Sequence, residues 1–305
     1  MNVFTIHQQL IEEYQAYIKG FINIKDQDIR DQVAAELADN KLWPEPLLQF
    51  NPAFKPGQSV ASLCQAGILH QGLSHVFHGL SLYEHQVQAI RRGSAGQGFI
   101  VTSGTGSGKS LTYMATIFND LLQNPPTEPG VRAIIVYPMN ALINSQHEEM
   151  KQYAKQYEKQ TDQPFSISFA QYTGQEKAEE KDRIRKEQPH ILLTNYMMLE
   201  LLLTRSQEQP MRENLYRNLR YLVFDELHTY RGRQGADVSL LIRRLHAHAE
   251  QSLICIGTSA TMVAGGELSL AEQRAKIAEV AGQIFGASYT AADVVMEELV
   301  PSLST

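Results

Sequence analysis

The stretch that decides the fold runs from Phe99 to Ser110 and has the sequence FIVTSGTGSGKS. Its first four residues are apolar or β-branched and predict a short strand, and a helix is predicted from Lys109 onward. Glycines at positions 104, 106 and 108 alternate through the turn between them. Glycine lets the backbone curl so that several N–H groups face one anionic pocket, and the helix N-terminus adds the positive end of its dipole. The stretch therefore predicts a phosphate-binding loop between a strand and a helix.

The loop also carries the side chains that a nucleotide site needs. We expect the ammonium group of Lys109 to reach the β- and γ-phosphates of ATP, and the hydroxyl of Ser110 to ligate Mg²⁺. The predicted ATP-binding residues of the loop are Thr102, Ser103, Gly104, Thr105, Gly106, Ser107, Gly108, Lys109 and Ser110. The strict pattern has a glycine at the position of Ser103. Helicases often relax that position, so the departure favours a helicase over a small GTPase. The alternative is a glycine-rich turn in which Gly-Lys-Ser is incidental.

A second apolar strand ends in two consecutive carboxylates within YLVFDELH, from Tyr221 to His228. Mg²⁺ prefers oxygen ligands, so we expect Asp225 to hold the ion through its water shell. Glu226 is predicted to orient and deprotonate the attacking water, which makes Glu226, Lys109 and Asp225 the predicted catalytic residues. We expect His228 to sense the γ-phosphate and pass its state to the nucleic-acid side. The alternative for this histidine is a structural or solvated role.

A helix predicted just before the phosphate-loop strand is expected to recognise the base. It lies in the sequence LYEHQVQAI, which begins at Leu82. Gln86 can bond adenine at two points because its amide group both donates and accepts. Either Tyr83 or Phe77 can pack on the ring of the base. The alternative is an amphipathic helix with a surface glutamine.

A coupling motif is predicted at GTSAT, from Gly257 to Thr261, directly after the apolar run SLICI. Ser259 and Thr261 carry small hydroxyl groups at the end of a strand. We expect them to bond the loop that holds the acidic pair and to transmit the nucleotide state. The pattern is weak on its own, and its order and spacing after the other motifs give it weight.

Short apolar runs alternate with helical stretches from about residue 80 onward. The predicted strands are Phe99–Thr102, Ala133–Tyr137, Ser166–Gln171, Ile191–Leu193, Tyr221–Phe224 and Ser252–Ile256. The predicted helices are Lys109–Leu122, Met139–Tyr157, Glu176–Glu187, Gly235–Ala249 and Leu270–Phe285. This alternation predicts an α/β fold with a mainly parallel sheet, in which ligands bind beyond the carboxyl ends of the strands. Residues 1–75 are predicted to form a small helical N-terminal accessory region, and residues 76–305 the ATP-binding domain.

With the phosphate loop, DELH and SAT in this order, residues 80–262 resemble the first RecA-like lobe of a superfamily 2 DEAD/DEAH-box helicase. DELHTYRGRQGADVSLLIRRL (Asp225–Leu245), YPMNAL and TNYMML are similar to DNA helicases of the YprA/MrfA type. FINIKD and LWPEPLLQFNPAF resemble the beginning of very large bacterial relatives, some of which serve anti-phage defence. The resemblance implies a RecA-like P-loop domain, ATP and Mg²⁺ as cofactors, and DNA and defence-complex subunits as partners.

The same resemblance implies a set of nucleic-acid contacts. It assigns them to Pro138, Asn140, Ala141, Thr173, Gly174, Thr194 and Asn195. Such lobes grip the phosphates of one strand through backbone N–H groups, hydroxyls and amides rather than through base edges. The alternative for each of these residues is an ordinary turn or helix cap.

Composition places few further limits on function. The net charge of −6 weighs slightly against tight non-specific binding of nucleic acid by the whole surface. Cys64 and Cys255 are far apart and belong to no Cys/His ligand pattern, so neither a zinc site nor a disulfide framework is expected. The N-terminus lacks the pattern of a secretory signal, and no apolar run is long enough to span a bilayer. We therefore expect a cytoplasmic protein without a membrane partner.

The leading hypothesis is an ATP-dependent DNA helicase or translocase. The alternatives are an RNA helicase, or a non-unwinding ATP-dependent motor or switch subunit of a restriction or defence complex. About 40 residues follow SAT, too few for the second RecA-like lobe that supplies arginine fingers in such motors. We therefore expect the chain to be the N-terminal part of a longer protein whose second lobe is its partner. The isolated chain is expected to bind nucleotide weakly and to hydrolyse it very slowly.

Overall fold

The structure is a computed structural model that describes residues 2–21, 23–38, 52–104, 106–260 and 268–301. The chain divides into two compact units, Met1–Asn51 and Pro52–Thr305. The described residues of the first unit form two helices, α1 (Val3–Gly20) and α2 (Gln27–Ala38). Asn2 caps α1, since its side chain accepts a hydrogen bond from the N–H of Phe4. The described part of this unit is therefore mostly helical.

The second unit begins earlier than the domain boundary predicted after residue 75. Val60, Leu63 and Leu73 are all buried and belong to the same core as Phe118. Burial of these apolar side chains ties residues 52–75 to the larger unit, and the Pro-rich sequence before them did not indicate this. The structural division lies after Asn51.

Ten helices and eleven strands are described in the second unit. The helices are α3 (Val60–Gln65), α4 (Leu73–Val76), α5 (Glu84–Ser94), α6 (Lys109–Gln123), α7 (Asn140–Thr161), α8 (Ala178–Glu187), α9 (Tyr196–Thr204), α10 (Gln209–Asn218), α11 (Gly232–His248) and α12 (Leu270–Phe285). The strands are β1 (Ala53–Phe54), β2 (Pro56–Ser59), β3 (Ser81–Tyr83), β4 (Phe99–Thr102), β5 (Ala133–Val136), β6 (Phe169–Tyr172), β7 (Ile191–Thr194), β8 (Tyr221–Phe224), β9 (Ile254–Ser259), β10 (Val294–Met296) and β11 (Leu299–Val300). No helix in the described ranges combines the length and apolar character needed to cross a membrane.

Seven strands form one parallel sheet in the order β10-β4-β9-β8-β5-β7-β6. Every residue of β4, β5, β7 and β8 is buried. Successive side chains of a strand point to opposite faces, so a sheet covered by helices on both faces needs continuous apolar runs. One face packs with α5, α6 and α7, and the other with α9 to α12. The predicted α/β fold with a parallel sheet is confirmed.

The sheet carries the predicted motifs at one edge, since all its strands run in the same direction. The strands predicted to end at Gln171 and Ile256 end at Tyr172 and Ser259 instead. The shift at β9 matters because it places the start of GTSAT inside the strand. Short antiparallel pairs join β1 to β11 and β2 to β3 beside the main sheet.

Candidate nucleotide and nucleic-acid site

The glycine-rich loop connects the carboxyl end of β4 to the first residue of α6. Gly106 and Gly108 have φ values of 76° and 70°, in the left-handed region that favours glycine. A Cβ atom on Gly108 would lie 2.5 Å from Nε2 of Gln86. The backbone conformation therefore favours glycine at this position, and a Cβ atom here would also displace the end of the Gln86 side chain. The N-terminus of the 15-residue α6 faces the loop, as an anion site requires.

Hydrogen bonds within the protein fix the conformation of this loop. Nζ of Lys109 donates to the carbonyl oxygens of Ser103 at 3.0 Å and Gly104 at 3.1 Å. The hydroxyls of Ser103 and Ser107 lie 2.5 Å apart, and the N–H of Gly104 donates to Oε2 of Glu297 at 2.7 Å. Lys109 is 8% exposed. To reach a phosphate, its ammonium group must exchange these carbonyl partners for phosphate oxygens.

The acidic pair follows β8, two strands away from the loop strand. Asp225 is 8% exposed, and its carboxylate accepts a short hydrogen bond from the hydroxyl of Thr258. Burial raises the pKa of Asp225 to about 6, and the neighbouring charge of Glu226 acts in the same direction. The hydrogen bond from Thr258 and the charge of Lys109 oppose that rise in pKa. A buried carboxylate whose charge is poorly compensated by the protein is suited to bind Mg²⁺. The second predicted ligand, the hydroxyl of Ser110, is half-buried.

Glu226 connects the acidic loop to the end of β9. Its backbone has a φ of 52°, which is uncommon for a residue other than glycine, and its N–H donates to the hydroxyl of Thr258 at 3.1 Å. Its Oε2 accepts from the N–H of Ala260 at 3.3 Å and lies 3.2 Å from Nδ1 of His228. The same histidine nitrogen lies 3.1 Å from the hydroxyl of Ser259. The structure thus brings Glu226, His228 and Ser259 together.

Thr258 was not singled out from the sequence, although it contacts both acidic residues. Its signal was available in principle, because it is a hydroxyl residue on the strand that pairs with the acidic strand. Two predicted site residues, Thr105 and Thr261, lie outside the residues that the structure describes. Their predicted roles stay predictions.

Gln86 lies against the phosphate loop at the start of α5. Its Oε1 accepts from the N–H of Tyr83 at 2.8 Å, and its Nε2 donates to the carbonyls of Gly108 at 2.9 Å and Ser107 at 3.3 Å. The side chain therefore bridges the N-terminus of α5 and the loop. Its predicted contact with adenine stays a prediction, and it requires the amide to exchange at least one of these partners.

Aromatic rings surround this corner of the site. Tyr83 is 37% exposed, and its ring centroid lies 5.0 Å from that of Phe54 and 5.8 Å from that of His85. Phe77, the other candidate for packing on the base, is 1% exposed and packs against Phe118 in the core. Phe77 is therefore the wrong candidate, because its ring is enclosed by apolar side chains. Phe54, which sequence analysis missed, is the ring beside Tyr83.

His85 is a buried group between these rings and the phosphate loop. It is 1% exposed, and its Nε2 lies 3.2 Å from the carbonyl of Ser107. Its Nδ1 is buried and has no hydrogen-bond partner among the residues that the structure describes. Burial lowers the pKa of His85, so the ring is neutral at physiological pH.

The predicted nucleic-acid residues lie at or just beyond the carboxyl ends of β5, β6 and β7. Nδ2 of Asn195 donates to Oδ1 of Asn140 at 2.9 Å, and Oδ1 of Asn195 caps α9 by accepting from the N–H of Met198. The hydroxyls of Thr173 and Thr194 each donate to a protein acceptor, and both residues are 1% exposed. Gly174 and Ala141 are exposed, and Pro138 is half-buried. The fold brings these loops to one edge of the sheet, and their contacts with nucleic acid stay predictions.

Residues 83–266, more than half of the chain, match the DEAD/DEAH box helicase family. The chain belongs to this family. The match begins at Tyr83 and extends past GTSAT, so it includes every motif placed above. The similarity to superfamily 2 helicases predicted from the sequence is confirmed.

Curated relatives carry the same region. The chain is 33% identical over 167 residues to the uncharacterized ATP-dependent helicase MJ1574 of Methanocaldococcus jannaschii, which covers 55% of this chain and 23% of that protein. It is 30% identical over 164 residues to the uncharacterized ATP-dependent helicase YprA of Bacillus subtilis, covering 54% and 20%. The Druantia protein DruE of Escherichia coli is 24% identical over 371 aligned residues, covering 84% and 20%. The aligned region thus spans about a fifth of the length of these relatives.

Solved structures of the DUF1998 helicase MrfA share the fold. The crystal structure of MrfA matches with a TM-score of 0.59 and 28% identity, over 76% of this chain and 32% of that chain. The crystal structure of MrfA bound to DNA matches with a TM-score of 0.66 and 24% identity, over 86% and 32%. These matches agree with the predicted YprA/MrfA-type resemblance.

Proposed function

We propose that this chain is the ATP-binding lobe of an ATP-dependent DNA helicase or translocase. The observation that carries the proposal is the joint placement of three groups at one edge of the sheet. These are the glycine loop with Lys109, the buried Asp225, and Glu226 linked to Ser259 through His228. Such an arrangement suits phosphoryl transfer, in which positioning and charge stabilisation do most of the catalytic work.

Each residue takes a separate part in the proposed reaction. The loop N–H groups and Lys109 bind the phosphates, and Ser110 and Asp225 hold Mg²⁺, which neutralises phosphate charge when bound. Glu226 orients the attacking water and accepts its proton. The N–H of Glu226 donates to the hydroxyl of Thr258, and this bond fixes the backbone from which the carboxylate projects. A second lobe is proposed to supply the arginine that completes the site.

We propose that the conformational change caused by loss of the γ-phosphate is transmitted through β9 to the residues that contact nucleic acid. His228 and Ser259 both contact the loop that carries Glu226, so a shift of that carboxylate changes hydrogen bonds at the end of the strand. The Asn140–Asn195 bond lies beyond the carboxyl ends of β5 and β7, which are separated from β9 by β8 in the same sheet. We propose that this edge grips the phosphates of one DNA strand, as hydroxyls, amides and backbone N–H groups do in other single-strand-binding sites.

DNA is proposed as the substrate because the matched MrfA structure is bound to DNA. The similarity to the Druantia protein DruE supports a large bacterial parent protein. We also propose that this parent protein acts in a defence complex. Cytoplasmic location stays a prediction.

ATP hydrolysis by the full-length parent, with and without single-stranded DNA, tests the proposal. We expect DNA to stimulate hydrolysis, and Lys109→Ala and Glu226→Gln each to reduce the rate about a hundredfold or more. Glu179→Gln is the matched control, because this exposed carboxylate lies on α8, away from the loop. Stimulation by RNA in preference to DNA would reverse the choice of substrate. Unchanged rates in both site variants would refute the assigned site.

A further inference from the structure

The last described segment of the chain passes directly beside the phosphate loop. Strand β10 pairs in parallel with β4, so the residue that follows β10 emerges at the same edge as the loop. That residue is Glu297. Its N–H donates to the carbonyl of Thr102 at 3.2 Å, and its carboxylate accepts from the N–H of Gly104 at 2.7 Å. A carboxylate is thus bound to the backbone of a loop whose chemistry suits phosphate.

Residues 297–300, which we call the strap, also contact β1, Lys55 and the helix α5, which carries the proposed adenine-binding residue. The carboxylate of Glu298 accepts from Nζ of Lys55 at 2.7 Å and from Nε2 of Gln88 at 2.9 Å. Its carbonyl accepts from the N–H of Lys55 at 2.8 Å, and β11 then pairs antiparallel with β1. Because Gln88 lies on the helix that carries Gln86, the strap contacts both the loop and the helix of the proposed nucleotide site.

The charge of Glu297 conflicts with a bound triphosphate. Lys109 binds the carbonyls of Ser103 and Gly104, and the N–H of the same glycine binds Glu297. When Lys109 turns to phosphate, these carbonyls lose their cation, and the carboxylate then faces several negative charges across a short distance. Repulsion between these like charges disfavours the Glu297 carboxylate and a bound triphosphate occupying the site together.

We propose that Glu297 is a nucleotide-sensitive latch. In the structure, its carboxylate accepts from the N–H of Gly104 and holds the strap beside the loop. A bound nucleoside triphosphate repels the carboxylate, breaks that hydrogen bond and loosens the strap. The strap then conveys the nucleotide state to the chain that follows residue 300. This inference rests on the proposed nucleotide site.

Binding of a non-hydrolysable ATP analogue, ADP and AMP to the 305-residue chain tests the latch by calorimetric titration. Glu297→Gln keeps an oxygen that can accept from the N–H of Gly104 but removes the charge. We expect this variant to bind the triphosphate analogue about three- to tenfold more tightly, and AMP less than twofold more tightly, since repulsion grows with phosphate charge. The matched control is Glu279→Gln, which removes a more exposed charge from α12, away from the loop, and should leave all three affinities unchanged.

Hydrogen exchange of residues 297–300 provides a second readout. In the wild-type chain, the triphosphate analogue should speed exchange in the strap, whereas AMP should not, and Lys109→Ala should abolish the response. If the wild-type chain binds none of these nucleotides, the proposed function and the latch are both refuted. If Lys109→Ala loses binding but Glu297→Gln behaves like the wild type, the latch alone is refuted. Equal gains for the triphosphate and for AMP would also refute it.

Discussion

Replacing Asp225 with asparagine is expected to stabilise the metal-free chain at neutral pH. The carboxylate is 8% exposed, and burial raises its pKa to about 6. Asparagine has nearly the same shape, and its carbonyl oxygen can still accept the hydrogen bond from Thr258. The substitution therefore removes a buried charge while keeping the contacts around it.

The magnitude follows from the difference in pKa between the folded and unfolded states. An unfolded aspartate has a pKa of about 3.9, so the difference is about two units, or roughly 3 kcal/mol at about 1.4 kcal/mol per unit. Because the folded pKa is the higher one, the folded state binds more protons, and stability falls as pH rises from about 4 to about 6. The advantage of Asp225→Asn should therefore be small near pH 4, about half of its full value at pH 5 and roughly 3 kcal/mol at pH 7.5.

Guanidinium unfolding in EDTA, followed by circular dichroism between pH 4 and pH 8, measures this effect. Glu179→Gln is the comparison variant, since this exposed carboxylate lies on α8 and its removal leaves the surroundings of Asp225 unchanged. Added Mg²⁺ should narrow the gap between wild type and Asp225→Asn, because the ion stabilises the charged carboxylate. A gain in stability that does not vary with pH, or a loss at pH 7.5, would show that the reasoning about burial is wrong.

Two further substitutions test how the loops of the site are held. Thr258→Val keeps the side-chain shape but removes the hydroxyl that Asp225 and Glu226 share, so thermal unfolding should show a loss of about 1–3 kcal/mol. ATP hydrolysis by the parent should fall as well, and an unchanged rate would contradict the positioning role. Gly108→Ala places a Cβ atom 2.5 Å from Nε2 of Gln86 at a φ of 70°. It should weaken nucleotide binding at least about tenfold and lower stability by about 1 kcal/mol or more, and wild-type affinity would contradict the steric argument.

The central fold was predictable because its signals are local. Strands such as Phe99–Thr102 and Tyr221–Phe224 are continuous apolar runs that end in a motif, and they lie where the sequence predicted them. The edge strand Val294–Met296 was missed because it is only three residues long, and so short a strand carries almost no periodic pattern. The place of residues 52–75 in the larger unit was also missed, since it depends on which core their apolar side chains join.

The residue types of the site were predictable, but their partners were not. The sequence indicated Lys109, Asp225 and Glu226 through spacing and strand ends. It could not indicate that Glu297 reaches the loop, because the two are separated by 193 positions and meet only through the order of strands. Phe54 was missed for the same reason, since its neighbour Tyr83 lies on β3, which pairs with the strand after Phe54, and such a short pair leaves no repeat in the sequence.

The position of β4 in the sheet has a consequence for how the protein is made. Its two neighbours are β9 and β10, which begin at Ile254 and Val294, although β4 itself ends at Thr102. During synthesis, this apolar strand therefore has no partner strand on either side until some 150 further residues have been translated and β9 can form. Ribosome stalling or proteolysis in that interval leaves both of its edges free to pair with other chains. The nucleotide loop is thus translated well before β9 and β10, the two strands that complete the sheet around it.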